Sequence, residues 1–418
     1  MHFGPKFRYL KKDEIQILFI FYLFIEYFSF INMLDLVYLI LCLLSFININ
    51  VKGANSFYED YMDLENTNSI KGIFVWMIFF RHFTGYLKQN SLKNKKSILI
   101  DKYFQQNIVS LFLFYSGYGI LESFKKKGNK YIKSLPIKSV IILIKSEFIL
   151  FIFLCNNIIL GIKTTLINYL QAIIFRASIG NSYWFSFAII ILYIHAYFAF
   201  FLIKKQNYIF IGLILITIIC LLHIYFVFRF YHPKQMISVD TIICFVLGFY
   251  YSFIKFYIDK IIMKSDIIYF GVISILIFKY YKIYINNPKS IYNISLKNGL
   301  FTLSLIFISM KIRIKNNFLF LLNSHSYSIY FIQRIVMIYI YRKGYFKNNE
   351  FIGFFCEFII VICMAILFDK YTIFIDNIFK RNKKINIKIE NYLISNKLNC
   401  KELINHKNKY NILEQNIK

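Results

Sequence analysis

The sequence predicts an all-α integral membrane protein, a bundle of ten helices preceded by an N-terminal hydrophobic hairpin or anchor, and three observations carry that prediction. The 418 residues are 58% hydrophobic and 20% aromatic, with a mean hydropathy of +0.54. That is more apolar surface than one soluble core buries. Apolar runs of roughly 17 to 24 residues recur along the chain, close to the ~20 residues that cross a bilayer as a helix. The 50 basic residues, against 21 acidic ones, give a formal charge of +29. They concentrate in connectors and tails, as in the cytoplasmic loops of membrane proteins. On a soluble protein this charge would point to nucleic acid, but no nucleic-acid motif accompanies it and no such partner is expected.

Taken in order, the chain opens on the basic stretch MHFGPKFRYLKKDE. A long apolar run follows with no small-residue cleavage site, so the segment is expected to be retained as an anchor. Residues 15–48 read as one over-long span or as a tight hairpin with Glu26, Asn32 and Asp35 in its turn. The hairpin puts Lys6, Arg8, Lys11 and Lys12 on the same side as the Lys125–Lys138 loop, the Lys204–Lys205 connector, Lys255–Lys264, Lys311–Lys315 and the tail after Phe379. The positive-inside rule places that side in the cytoplasm. The loop with Lys88, Lys93, Lys95, Lys96 and Lys102 falls outside and is the exception.

Ten further spans are expected near residues 71–87, 108–122, 139–155, 183–203, 208–228, 237–257, 266–285, 295–311, 318–341 and 352–376. The division that follows is 1–66 as anchor and linker, 67–379 as the membrane domain and 380–418 as a basic cytoplasmic tail. The expected location is the plasma or inner membrane, crossed many times. Seven cysteines without a C-x-x-C spacing read as ordinary core or lipid-facing residues, and no metal is expected.

The first span, NSIKGIFVWMIFFRHFTGYL at 68–87, contains Lys71, Arg81 and His82. Ionisable groups at membrane depth cost several kcal/mol unless they meet a cavity or a partner. Lys71 and His82 are 11 residues apart, which on an α-helix sets them within about 20° of one face and roughly 16 Å apart along the axis. They form a stripe suited to a pore wall. A hydrogen-bonded packing role for His82 and snorkelling for Lys71 are the plain alternatives.

Three later stretches change the balance. FLFYSGYGILES puts Ser116 and Gly117 in an aromatic-rich span; GNSYWFSFAIIILY sets Tyr183 and Trp184 at the head of another; NSHSYSIYFIQRIVM carries Ser326, Tyr327, Tyr330, Gln333 and Arg334. In this order the four stretches resemble the acyltransferase family 3 membrane proteins, which O-acylate surface polysaccharides and related glycans. The likeness covers roughly residues 60–376. A basic residue, ten intervening residues and a histidine in the first helix is its key signature, met by Lys71 and His82. Family members are described with ten core helices. One departure stands in the second cytoplasmic loop, where relatives often carry arginines associated with the acyl donor and this chain has LPIKSV, with Pro136, Lys138 and Ser139. Lysine meets a phosphate as a point charge without arginine's fork.

The resemblance implies an O-acyltransferase, most simply an O-acetyltransferase. Its co-substrate would be acetyl-CoA or another acyl-CoA, and its acceptor a surface glycan or lipid-linked saccharide. Such transfer needs a base or a nucleophilic carrier, plus cationic or donor groups at the developing oxyanion. His82 is the candidate base or carrier, with Lys71 on the same stripe as a second catalytic residue. Arg81, Ser116, Tyr327 and Arg334 are candidate substrate-binding residues; Lys133 and Lys138 would meet the phosphates of the donor. Each has a plainer reading: close helix packing for Ser116 beside Gly117, an interfacial belt for Tyr327 and Tyr330, and topology alone for the lysines. Glu147 with Lys145, His195, Glu357 and Asp369 read as intramembrane pairing. Two readings from other classes stay open, a polysaccharide flippase or polymerase and an ion-coupled transporter using Glu147, His195 and Asp369.

Overall fold

The computed structural model describes residues 33–88, 107–181, 184–203, 206–230, 239–286, 290–345, 349–374 and 377. The chain forms two compact units, residues 1–365 and 366–418. In the first, the elements in order are α1 (Met33–Ser45), β1 (Ile49–Val51), α2 (Leu64–Lys88), α3 (Asn107–Lys127), α4 (Asn129–Ile132), α5 (Leu135–Ile159) and α6 (Leu166–Ile173). They continue with α7 (Trp184–Phe200), α8 (Ile209–Phe230), α9 (Val239–Ile262), α10 (Asp266–Ile285), α11 (Ile291–Ile308), β2 (Ile312–Ile314), α12 (Asn317–Ser324) and α13 (Ser326–Lys343). A last helix, α14, runs Glu350–Phe374; its closing turns are the described part of the second unit, with residue 377.

The protein is an all-α membrane protein. Among the described residues, α8 to α11 and α14 are long and apolar enough to cross a membrane. The helices α2, α3 and α5 have the length, with 25, 21 and 25 residues, but carry polar groups along it. Helix ends follow side-chain chemistry. Thr165, Ser265, Ser290 and Asn316 cap α6, α10, α11 and α12 by accepting from backbone N–H groups two or three residues on. Gly344 ends α13 in the left-handed region at φ 75°.

Helices stand at each of the ten expected places, but the ninth is two helices. It breaks at His325, whose backbone (φ −109°, ψ 15°) leaves α-geometry. Serines flank the break, and the Ser324 hydroxyl donates to the Leu321 carbonyl, drawing on the backbone's own hydrogen-bonding capacity. Of the residues assigned to the hairpin turn, Asp35 sits in the first turn of α1, and Glu26 and Asn32 lie outside the described residues. Residues 1–32, the loop lysines from 93 to 102, Tyr183, Lys204, Lys205 and the tail lie outside the described residues.

Contacts between backbones set the helix pairs. A Cβ on Gly117 would lie 2.1 Å from the Phe245 carbonyl oxygen on α9, and one on Gly248 would lie 2.1 Å from that of Phe114 on α3. The two helices therefore cross glycine to backbone in both directions, the small-residue mode of packing in membranes. Gly72 of α2 meets the Leu319 carbonyl of α12 as closely.

The pairing of β1 with β2 was not expected from the sequence. Ile49 stands opposite Ile314, Asn50 opposite Arg313 and Val51 opposite Ile312. The connector's cations are tied down rather than free. Lys311 forms an ion pair with Asp266 (2.6 Å), donates to the Gly53 carbonyl (3.0 Å) and lies over the Phe57 ring, while Arg313 pairs with Asp60 over the Tyr58 ring. Nearby, Tyr61 donates to Asp259 (2.7 Å) and lies 2.5 Å from the Tyr251 hydroxyl. Burial and the neighbouring Tyr251 push its phenol well above the ordinary value, so it acts as a neutral donor.

Gly117→Val is expected to destabilise the protein by about 1–3 kcal/mol through overpacking, read as a lower unfolding midpoint in detergent. Gly119→Ala, whose Cβ would meet nothing within 4 Å, is expected to leave that midpoint unchanged or raise it slightly, since alanine favours helix.

Candidate functional site

The packing of α2, α3, α5, α7, α12 and α13 encloses a cavity of about 380 Å³. From α2 it takes Lys71, Val75 and Ile78, spaced four and three residues apart and so on one face. The next position on that face is His82, one turn beyond the cavity wall. The Lys71–His82 stripe is thus a continuous strip of α2 whose first three members line the cavity.

The Lys71 ammonium donates to the Asn68 side-chain oxygen at 3.3 Å and lies 5.4 Å from the centre of the Tyr115 ring. A cation over an aromatic face is attracted by the ring quadrupole, an attraction that grows as water is excluded. From α3 come Tyr115 and Ser116. The Ser116 hydroxyl is buried and faces the Tyr193 phenol of α7, while its neighbour Gly117 makes the contact with α9. The two readings offered for the Ser116–Gly117 pair therefore divide between adjacent residues.

The break at His325 starts α13 beside the cavity and brings Ser326 and Tyr327 to its wall. Irregular backbone in a membrane protein is tolerated where it lines a cavity or is buried in protein. The Tyr327 hydroxyl donates to the Ile142 carbonyl of α5 (3.2 Å) and lies 3.1 Å from the Ser146 hydroxyl. Tyr327 is a wall residue of the cavity, held at both ends.

His82, Arg81 and Arg334 form a neighbouring cluster. The guanidinium groups of Arg334 and Arg81 lie within electrostatic reach of the His82 imidazole. Arg334 Nε donates to the Tyr86 hydroxyl at 3.3 Å, and Tyr86 follows His82 by four residues on the same face of α2. The structure thus gathers Lys71, Ser116 and Tyr327 at the cavity, and His82, Arg81 and Arg334 beside it.

Lys133 and Lys138 are not part of either group. Lys133 is exposed at the end of α4, and the Lys138 ammonium sits 4.0 Å above the Tyr131 ring. Lys125, in the last turn of α3, donates to Glu122 (2.8 Å) and to the Ser252 carbonyl (2.7 Å) and hydroxyl (3.0 Å). Of the other ionisable groups, His195 faces His223 across α7 and α8 with ring centres 5.1 Å apart. Glu357 is buried in α14.

Sequence reasoning gave no role to Tyr115, Tyr193, Asn323 or Gln333, all on the cavity wall. The alternation of serine with aromatics in FLFYSGY and SYSIYF was the available signal, but it does not say which face of a helix meets a cavity.

A family model described as an acyltransferase domain matches residues 64–369. No curated protein and no solved structure matches the chain. The matched region contains the whole cavity wall and the His82 cluster.

Tyr327→Phe is expected to cost about 1 kcal/mol of stability, the net worth of one hydrogen bond. The penalty stays that small because the Ile142 carbonyl keeps its bond from Ser146 at 2.9 Å. Thermal unfolding in detergent reads it.

Proposed function

The chain belongs to the acyltransferase domain family, and we propose that this membrane acyltransferase moves an acetyl or similar small acyl group from cytoplasmic acyl-CoA to a hydroxyl of a cell-surface polysaccharide or glycolipid. The observation that carries the reading is the family match over residues 64–369, a region that holds a cavity with a cation at one end and a histidine flanked by two arginines one turn past the other. The basic loops argue for a multi-pass protein of the plasma or inner membrane with the Lys133–Lys138 side inward.

In this reading the acceptor oxygen forms the new ester bond at the thioester carbonyl and the carbon–sulfur bond breaks. The hydroxyl proton passes through His82 and ends on the CoA thiol, so the reaction is balanced without a further reactant. His82 acts either as general base or as the atom that first carries the acyl group. Arg81 and Arg334 are placed beside it to stabilise the oxyanion. Lys71 holds the other end of the cavity, and Ser116 and Tyr327 shape its wall. Lys133 and Lys138, outside the cavity wall, serve the anionic end of the donor as point charges.

His82→Ala is expected to lower glycan-dependent thiol release from acetyl-CoA by about 10²–10⁴-fold, the usual contribution of a positioned acid–base group, with expression and melting unchanged. Equal release by the variant and the natural protein would remove His82 from the mechanism.

A further inference from the structure

Among the buried polar groups on the cavity wall, Gln333 and Tyr115 have no part in that chemistry. Gln333 of α13 is fully buried, and its Nε2 donates to the Tyr330 carbonyl at 3.0 Å. Turning the amide over would set two carbonyl oxygens face to face, so the network fixes its orientation. The group left over is the Oε1 oxygen, buried and without a hydrogen-bond partner among the described residues. The Tyr115 hydroxyl of α3 is in the same condition. A buried polar atom left unpaired costs roughly 1–3 kcal/mol, and both residues line the cavity.

The chemistry of these atoms selects the ligand. An amide oxygen accepts and does not donate, so it repels phosphate or carboxylate and gains nothing from a thioester. It asks for an O–H or N–H. Aromatic and aliphatic side chains share the wall: the Phe185 and Tyr330 rings meet edge to face at 5.4 Å, Tyr327, Tyr193 and Phe112 add further rings, and valines and isoleucines fill the rest of its apolar surface. Flat apolar faces combined with a few convergent polar groups suit a ligand that is apolar on its faces and hydroxylated at its edge, which describes a pyranose ring. The volume of about 380 Å³ falls in the usual range for a small-molecule site.

We propose that Gln333 and Tyr115 form the recognition site for one sugar ring of the acceptor, Gln333 Oε1 accepting from a ring hydroxyl and Tyr115 bonding a second one. This rests on the proposed function for calling the sugar an acceptor. Binding itself is independent of turnover. Lys71, above the Tyr115 ring, positions that phenol.

The test is saturation-transfer difference NMR on the full-length protein in detergent. The probes are the methyl glycosides of glucose, galactose, mannose, N-acetylglucosamine and rhamnose, each offered separately, with free pantetheine as the competing amide donor. At least one glycoside is expected to bind the natural protein and to lose its signal about tenfold in Gln333→Leu, roughly one good hydrogen bond. Tyr115→Phe, a change of one oxygen, is expected to weaken it as well and guards against a folding defect in the first variant. Binding of no glycoside overturns the proposal, as does an equal signal in both variants. Loss of pantetheine binding with glycoside binding intact also overturns it and assigns Gln333 to the donor. Glycoside binding through Gln333 without any thiol release would sink the proposed function and keep this site. Normal transfer by Gln333→Leu with an unchanged acceptor KM would do the reverse.

Discussion

The close approach of helix backbones at three glycines is the constraint on which the cavity depends. Gly117 and Gly248 lock α3 to α9, and Gly72 seats α2 on α12. In both wall helices the residue just before the glycine faces the cavity, Ser116 in one and Lys71 in the other. Adjacent helical positions differ by about 100°, so fixing the glycine face against its neighbour aims the preceding side chain inward. A side chain at either glycine would push α2 or α3 away and turn Lys71, Tyr115 and Ser116 off the wall together.

Polar groups are handled in opposite ways at two places. Where β1 and β2 pair, each cation has an anion: Lys311 has Asp266, Arg313 has Asp60, and Lys255 has Asp259. The Arg313–Asp60 pair ties the segment before α2 to the segment before α12, the two helices that Gly72 holds in contact, and Lys311–Asp266 ties the latter segment to α10. Around the cavity, Gln333 Oε1 and Tyr115 Oη are buried without such partners. Charged groups are therefore paired beside the strands, while these two polar groups face the cavity.

What was legible in the sequence follows the range of each signal. Span positions are local and were readable, because an apolar run and its flanking caps specify a helix whatever it packs against. The stripe from Lys71 to His82 was readable for the same reason, being fixed by helical periodicity alone. The break at His325 was not, since α12 and α13 are continuous in apolar pattern and only the flanking serines mark the change. The pairing of Asn50 with Arg313 joins distant segments of the chain, and three-residue strands leave no periodic trace. Lys125 and Lys311 read as loop charges because nothing local shows Ser252 or Asp266 beside them. Gln333 lay in a quoted motif, yet its importance comes from a bond to Tyr330 and from the wall it shares with α3, which no local pattern encodes.

The central claim is that one cavity serves a donor and an acceptor that reach it from opposite faces of the membrane. The most direct measurement places the purified protein in sealed vesicles with acetyl-CoA, labelled in its acetyl group, on the face that bears Lys133 and Lys138, and envelope glycan on the other, and counts label in the glycan. The account predicts glycan labelling in this arrangement without passage of CoA across the bilayer. Label appearing only when donor and glycan share one face, or in neither arrangement, would contradict it.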